Sequence, residues 1–158
     1  MAVTTKIEGM DELNRELQRL AKDVAPEALD RAAFAAGLVL QGAAQRNVPV
    51  EFGNLRASAY TQGSKGSATR LDTSNLKPDE NLPDPAPTQK MIADVGFTAR
   101  YAVYVHENME QTLAGQPRPS GLGTYWNPGG PKFLERALNK KSREIRDIFE
   151  AYLAEAIR

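Results

Sequence analysis

Two long stretches of the sequence, residues 63–90 and 108–130, limit where a fold can form. Both are rich in glycine, proline and small polar residues, and the first contains no aromatic residue. Segments of this composition bury too little apolar surface to offset the entropy lost on ordering. We therefore expect two long loops, the first of them mobile and the second irregular, and the helices and strands must come from the rest of the chain.

Two helices are predicted before the first loop. Apolar residues spaced by three and four predict an amphipathic helix: Met10, Leu13, Leu17, Leu20 and Val24. Pro26 breaks this pattern but suits the first turn of a second helix, which we expect to end at Asn47. That helix is rich in alanine, and we interpret Gly37 and Gly42 within it as points of close packing.

The segments around the first loop predict a small antiparallel sheet. After a turn at residues 52–54, residues 55–62 alternate weakly and indicate a strand, and residues 91–97 indicate a second strand that returns to it. Residues 101–107 could form a strand or a short helix, and their aromatic and β-branched content favours a strand. From Pro131 onward, apolar residues between Phe133 and Ala156 keep a helical period.

The composition is that of one globular domain. The chain has 158 residues, of which 41% are hydrophobic and 25% charged. We expect a single α+β domain over residues 1–158, with a small, mostly antiparallel sheet flanked by a long N-terminal helix pair and a C-terminal helix.

Charge and cysteine content exclude several classes of function. Twenty basic and 20 acidic residues give no net positive charge for binding nucleic acid or an anionic membrane. The absence of cysteine excludes disulfides, thiolate metal sites and a catalytic thiol. We find neither a signal peptide nor an apolar run that could span a bilayer, so we expect a soluble protein without membrane partners.

The chain offers little catalytic chemistry. Its single histidine, His106, lies next to Glu107, but a general base needs a second orienting group and a substrate pocket. We see no nucleophile elbow and no second histidine for a metal site. A histidine packed at the end of an element is the preferred interpretation, and a small hydrolase using His106 and Glu107 is the enzymatic alternative.

Two further patterns do not form a ligand site. The acidic residues of the first loop lack the regular spacing of a calcium loop: Asp72, Asp79, Glu80 and Asp84. The glycines between residues 121 and 130 lack the Gly-Lys-Ser/Thr ending of a phosphate loop. We therefore expect no cofactor, no metal and no catalytic residue.

Two surface features suggest binding. The C-terminal helix concentrates basic residues: Lys132, Arg136, Lys140, Lys141, Arg143 and Arg146. Because acidic residues are interleaved at helical contact spacing, a salt-bridged exposed face is preferred, with a nucleic-acid-binding module as the alternative. Tyr125 and Trp126 in the second loop are candidate anchors of a protein interface, or they fold back onto their own domain.

The order of four sequence blocks resembles a known family. Ile7, Gly9, Leu13 and Leu17 precede the alanine-rich helix; next come Asn-Val-Pro-Val at 47–50 and Gly-Asn-Leu-Arg-Ala-Ser at 53–58, then Tyr-Ala-Val-Tyr-Val-His-Glu at 101–107, and last Pro-Lys-Phe-Leu-Glu-Arg-Ala-Leu at 131–138. This succession is similar to the tail-completion, or head-to-tail joining, proteins of siphovirus-type bacteriophages and related prophages. The usual turn glycine after the third block is missing here.

The resemblance implies a non-enzymatic virion protein of the neck, assembled in the host cytoplasm. It would form a ring, as a hexamer or dodecamer, linking the tail tube or tail terminator protein to the head connector or head-completion protein, with DNA at most passing through. It also implies that residues 101–107 are helical. The candidate interface residues are Arg56, Tyr101, Tyr104, Tyr125, Trp126 and Phe133.

Overall fold

Four helices and three short strands have defined bounds in the part of the chain that the structure describes. The computed structural model describes residues 15, 16, 18, 19, 25–64, 68–70, 93–110, 113–125 and 129–157. The elements in chain order are α1 (Ala25–Asn47), α2 (Asn54–Ala57), β1 (Ala59–Gln62), β2 (Ala68–Arg70), β3 (Asp94–Phe97), α3 (Ala102–Glu107) and α4 (Phe133–Ala156). Residues 15, 16, 18 and 19 are also helical. No helix among these residues is long and apolar enough to cross a bilayer.

The two long helices form one layer of the fold. The end of α1 meets the start of α4, where the Gly130 amide donates to the Asn47 carbonyl at 3.0 Å and Asn47 Nδ2 donates to the Phe133 carbonyl at 3.4 Å. The contact between α1 and α4 is the most extensive between any two elements of the described chain. Because the end of α1 lies at the start of α4, the two helices run antiparallel. Alanines line this helix pair, because Ala43, Ala44 and Ala137 form one buried cluster.

The sheet also packs against α1. Its strand order is β2-β1-β3 and both pairs are antiparallel, so β1 is central. Gln41 of α1 fixes this contact, since its Nε2 donates to the Ala59 carbonyl at 3.1 Å and its Oε1 accepts from Thr61 Oγ1 at 2.7 Å. These polar groups are buried, and their mutual hydrogen bonds offset the cost of removing them from water.

Gly37 lets the sheet approach α1 closely. A Cβ atom at Gly37 would lie 2.7 Å from Thr61 Cγ2 and 3.2 Å from Val95 Cγ2. At Gly42 the nearest atom would be the end of the Arg46 side chain, at 3.9 Å. The interpretation as a close packing point is therefore confirmed for Gly37 and wrong for Gly42.

The main apolar cluster lies where α1, α2, α3 and α4 meet. Its buried members are Val48, Leu55, Ala99, Ala102 and Phe133. Phe133 is the largest fully buried side chain among the described residues, and its ring meets that of Phe97 edge to face with centroids 4.8 Å apart. This cluster holds the segments that build the candidate site described below.

The predicted α+β architecture is confirmed, together with both long helices and the returning strand β3. The strand expected over residues 55–62 is wrong in its first half, which forms α2. Gly53 has φ = 96° at the start of this helix, a conformation that glycine adopts readily. Ser58 ends it by donating from Oγ to the Leu55 carbonyl at 2.8 Å.

Two other expectations need correction. The first loop was expected to lack structure, but residues 68–70 form β2 against β1. Of residues 101–107, Ala102–Glu107 form a helix, as the family resemblance implies, and the strand favoured by propensity is wrong. Successive turn bonds hold this helix, including Val105 N to the Tyr101 carbonyl at 3.1 Å. The rest of the first loop, most of the N-terminal helix and Trp126 lie outside the described residues.

Candidate interface clefts around Tyr125

The second loop contains a hairpin, residues 113–125, that was not expected from its composition. The Gly115 amide donates to the Tyr125 carbonyl at 3.0 Å, and the Tyr125 amide donates to the Gln116 carbonyl at 2.8 Å. An isolated antiparallel bridge joins Pro117 and Thr124. These backbone hydrogen bonds order part of the segment that was predicted to be irregular, although its described residues form no helix and no strand.

Glu51 anchors this hairpin to the segment that follows α1. Its Oε1 accepts from the Ser120 amide at 2.8 Å, and its carbonyl accepts from Arg118 Nη1 at 2.9 Å. Burial raises the pKa of Glu51. Hydrogen bonds from Tyr125 and Ser120, together with the positive charge of Arg118, outweigh this effect and hold the pKa below its ordinary value. Glu51 is thus ionised at neutral pH. Sequence analysis missed both Glu51 and Arg118, because a contact between residues this far apart leaves no local pattern.

Tyr125 is expected to titrate late because of this contact. Burial, followed by its hydrogen bond to Glu51, raises the pKa of Tyr125 to about 12. Because the pKa is raised in the folded state, protonated Tyr125 stabilises the fold. This contribution to the free energy of unfolding is complete below the ordinary tyrosine pKa near 10 and is lost as the pH rises towards 12. In an alkaline titration followed by tyrosinate absorbance, Tyr125→Phe should remove a step near pH 12. If the wild-type chain shows no such step, the contact with Glu51 is contradicted.

An aromatic cleft lies on one side of Tyr125. It has a volume of about 320 Å³ and runs between the segment after α1, the helix α3 and the hairpin. Its lining includes Glu51, Phe52, Tyr101, Val105 and Tyr125. Phe52 is 47% exposed and Tyr101 is 40% exposed, so the rim presents aromatic surface to the solvent.

A second cleft, the arginine cleft, also borders Tyr125. It has a volume of about 660 Å³ and is formed by the last turn of α1, the helix α2 and the hairpin. Three arginines line it, Arg46, Arg56 and Arg118, and no carboxylate does so among the residues that the structure describes. The partly buried Val50 adds apolar surface. The cleft therefore combines positive charge with an apolar lining.

The predicted interface residues fall into three groups. Tyr125 lines both clefts, Arg56 lines the arginine cleft and Tyr101 lines the aromatic cleft. Tyr104 is 66% exposed on α3. Phe133 is only 1% exposed and belongs to the core cluster, so we leave it out of the surface proposed below.

His106 and Glu107 form part of a structural junction between α3 and α4. His106 Nδ1 lies 2.7 Å from Glu107 Oε1, and the imidazole packs edge to face on Phe133 with centroids 4.7 Å apart. Hydrogen bonds from Lys132 and then from His106 hold the pKa of Glu107 below its ordinary value. His106 thus packs against the core at the end of a helix, in agreement with the preferred interpretation.

The same junction does not have the character of a metal site. Ligand atoms of His106, Glu107 and Glu135 lie within 4.8 Å of one another. However, the Lys132 ammonium contacts Glu107 Oε2 at 2.5 Å and Glu135 Oε1 at 3.0 Å. The ammonium group of Lys132 therefore already balances the charge of both carboxylates.

The basic face of α4 is partly neutralised. Lys132 bridges two glutamates and Lys141 pairs with Glu144. Arg136 Nη1 donates to the Pro131 carbonyl at 3.4 Å. These contacts fit the salt-bridged face preferred from the sequence, and they reduce the charge that this helix can offer to nucleic acid.

Comparison with known proteins connects the chain to a family of phage proteins. The sequence model described as "Bacteriophage HK97-gp10, putative tail-component" matches residues 11–106, which is more than half of the 158-residue chain. The matched region contains α1, the sheet and α3, and it ends before the hairpin and α4. No curated protein and no solved structure matches the chain.

Proposed function

The chain belongs to the HK97-gp10-like family of bacteriophage tail components, and from this we propose that it completes the tail by joining it to the head. In this proposal, copies of the chain form a ring at the junction between the tail tube or its terminator and the head connector or head-completion protein. A structural role in the virion follows from the family. The ring, its hexameric or dodecameric size and its position in the neck are the proposed part.

The exposed apolar surface of α3 is the observation that supports this role best. Val103 is 73% exposed and Tyr104 is 66% exposed, although α3 has only six residues. Met109, directly after this helix, is 64% exposed. Apolar and aromatic side chains grouped on a surface are typical of sites that another protein covers. The aromatic cleft adjoins this surface through Tyr101.

A ring requires two different contact surfaces on each subunit. Neighbours in a ring meet head to tail, so the surface on one side of a subunit must complement another surface on the opposite side. The α3 surface is apolar, whereas the arginine cleft is basic and is lined by other residues. The two surfaces thus suit different contacts.

Neither surface requires catalytic chemistry, and we propose that the protein is not an enzyme.

Loss of the protein should separate heads from tails. In a phage that lacks this gene, electron microscopy of lysates should show filled heads and complete free tails that do not join, and a plasmid copy should restore joined particles. Val103→Asp with Tyr104→Asp should fail to restore them, because these substitutions place charge on the α3 surface. The matched control, Lys140→Asp with Arg143→Asp on exposed positions of α4, should restore them. Joined, infectious particles without the protein would contradict the proposed function.

A further inference from the structure

We infer that the arginine cleft binds the acidic segment at residues 72–84 of a neighbouring copy of the same chain. The inference rests on the proposed function, because it requires copies of the chain to meet in an assembly. It adds a specific pair of surfaces to that assembly.

The arginine cleft carries positive charge that the described residues do not neutralise. Arg46 and Arg56 are both exposed, and neither forms an ion pair within the described part of the chain. Arg118 is partly compensated by Glu51, although its Nε atom is buried without a hydrogen-bond partner among the described residues. A guanidinium presents several donors in a fixed plane, which suits a carboxylate.

Other contacts fix the shape of this cleft. Gln45 Nε2 donates to the Arg56 carbonyl at 3.2 Å, which holds α2 against α1. Arg118 Nη1 donates to the Glu51 carbonyl at 2.9 Å, which holds the hairpin in place. The backbone positions that carry the three arginines are therefore set before any partner arrives, and preorganisation lowers the entropic cost of binding.

The segment at residues 72–84 has the complementary chemistry. It carries Asp72, Asp79, Glu80 and Asp84 against a single basic residue, Lys77. It also contains prolines at positions 78 and 83, and proline favours the extended conformation that peptides adopt in grooves. Its leucines can contact the apolar side chain of Val50 in the cleft lining.

The length of this segment allows it to reach a second copy. It lies between β2 and β3, within residues 71–92. An extended chain spans about 3.3 Å per residue, so a loop of this length that leaves and returns could extend roughly 35 Å. A small domain measures about 30 Å across. An acidic peptide is favoured over DNA, because a phosphate backbone would leave the apolar lining of the cleft unused.

Peptide binding to the full-length protein tests the inference. The protein should carry Asp72→Asn, Asp79→Asn, Glu80→Gln and Asp84→Asn, so that its own segment does not compete for the cleft. A fluorescent peptide of residues 71–86 with the natural sequence should then bind saturably in an anisotropy titration. Adding Arg46→Glu and Arg56→Glu should weaken binding by about tenfold or more. The control pair Lys140→Glu and Arg143→Glu, with the same change in net charge, should leave binding within about twofold.

Three outcomes would overturn the inference. The first is no binding of the peptide, and the second is equal binding whether or not Arg46 and Arg56 are reversed. The third is binding of a short DNA duplex through these arginines that the peptide does not displace. These results concern the cleft alone. If heads and tails still require the protein in the lysate experiment, the proposed function survives while the inference fails.

Discussion

Replacing Phe133 with alanine is expected to lower the free energy of unfolding by about 3–5 kcal/mol, the usual cost of deleting a buried aromatic ring. Phe133 is 1% exposed and contacts the rings of Phe97 and His106 edge to face. The neighbouring buried positions include Ala99 and Ala102, whose short side chains cannot fill the space left behind. Since domains are stable by only about 5–15 kcal/mol, this loss would be severe.

Chemical denaturation followed by circular dichroism would measure the loss. Leu138→Ala is the matched control, because it shortens an apolar side chain in the same helix at a position that is 48% exposed. We expect it to cost about 1 kcal/mol or less. Equal losses for the two variants would contradict a core centred on Phe133.

Substitutions of two glycines in α1 by alanine should have opposite signs. Gly37→Ala places a methyl group 2.7 Å from Thr61 Cγ2, and Thr61 is held by its hydrogen bond to Gln41, so the sheet must move. We expect a loss of about 1–3 kcal/mol. Gly42→Ala meets only the end of a flexible arginine side chain and should gain about 0.5–1 kcal/mol from helix propensity.

Thermal unfolding of the two glycine variants beside the wild type would measure both effects. The pair is informative because each substitution adds the same atom to the same helix. A gain at both positions would show that α1 is not pressed against β1 at Gly37.

The helices were largely predictable from the sequence, because their periodicity is local. Pro26 and Asn47 bracket α1 closely, and the period from Phe133 to Ala156 matches α4. The short elements were harder. Residues 54–57 form α2 because Gly53 allows a left-handed start, whereas the alternating pattern of residues 55–62 pointed to a strand. At this length, tertiary contacts decide between helix and strand.

The candidate site was predictable only in part. Arg56, Tyr101 and Tyr125 were identified as interface residues, and each lines one of the two clefts or both. Arg46, Arg118 and Glu51 were missed, since the clefts form only when the hairpin folds onto the end of α1. Composition indicated a loop over residues 108–130, but backbone hydrogen bonds such as that between Gly115 and Tyr125 leave no signal in composition. Phe133 was also named as an interface residue, but its side chain is 1% exposed and belongs to the core.

The most direct test of the central claim is the assembly state of the purified protein with and without tail tubes. Light scattering would give the mass in solution, and negative-stain microscopy would show what forms on the tube ends. The account predicts rings in solution, or a monomer that becomes a ring at the end of a tube. A monomer that binds neither tubes nor heads under any condition would contradict it.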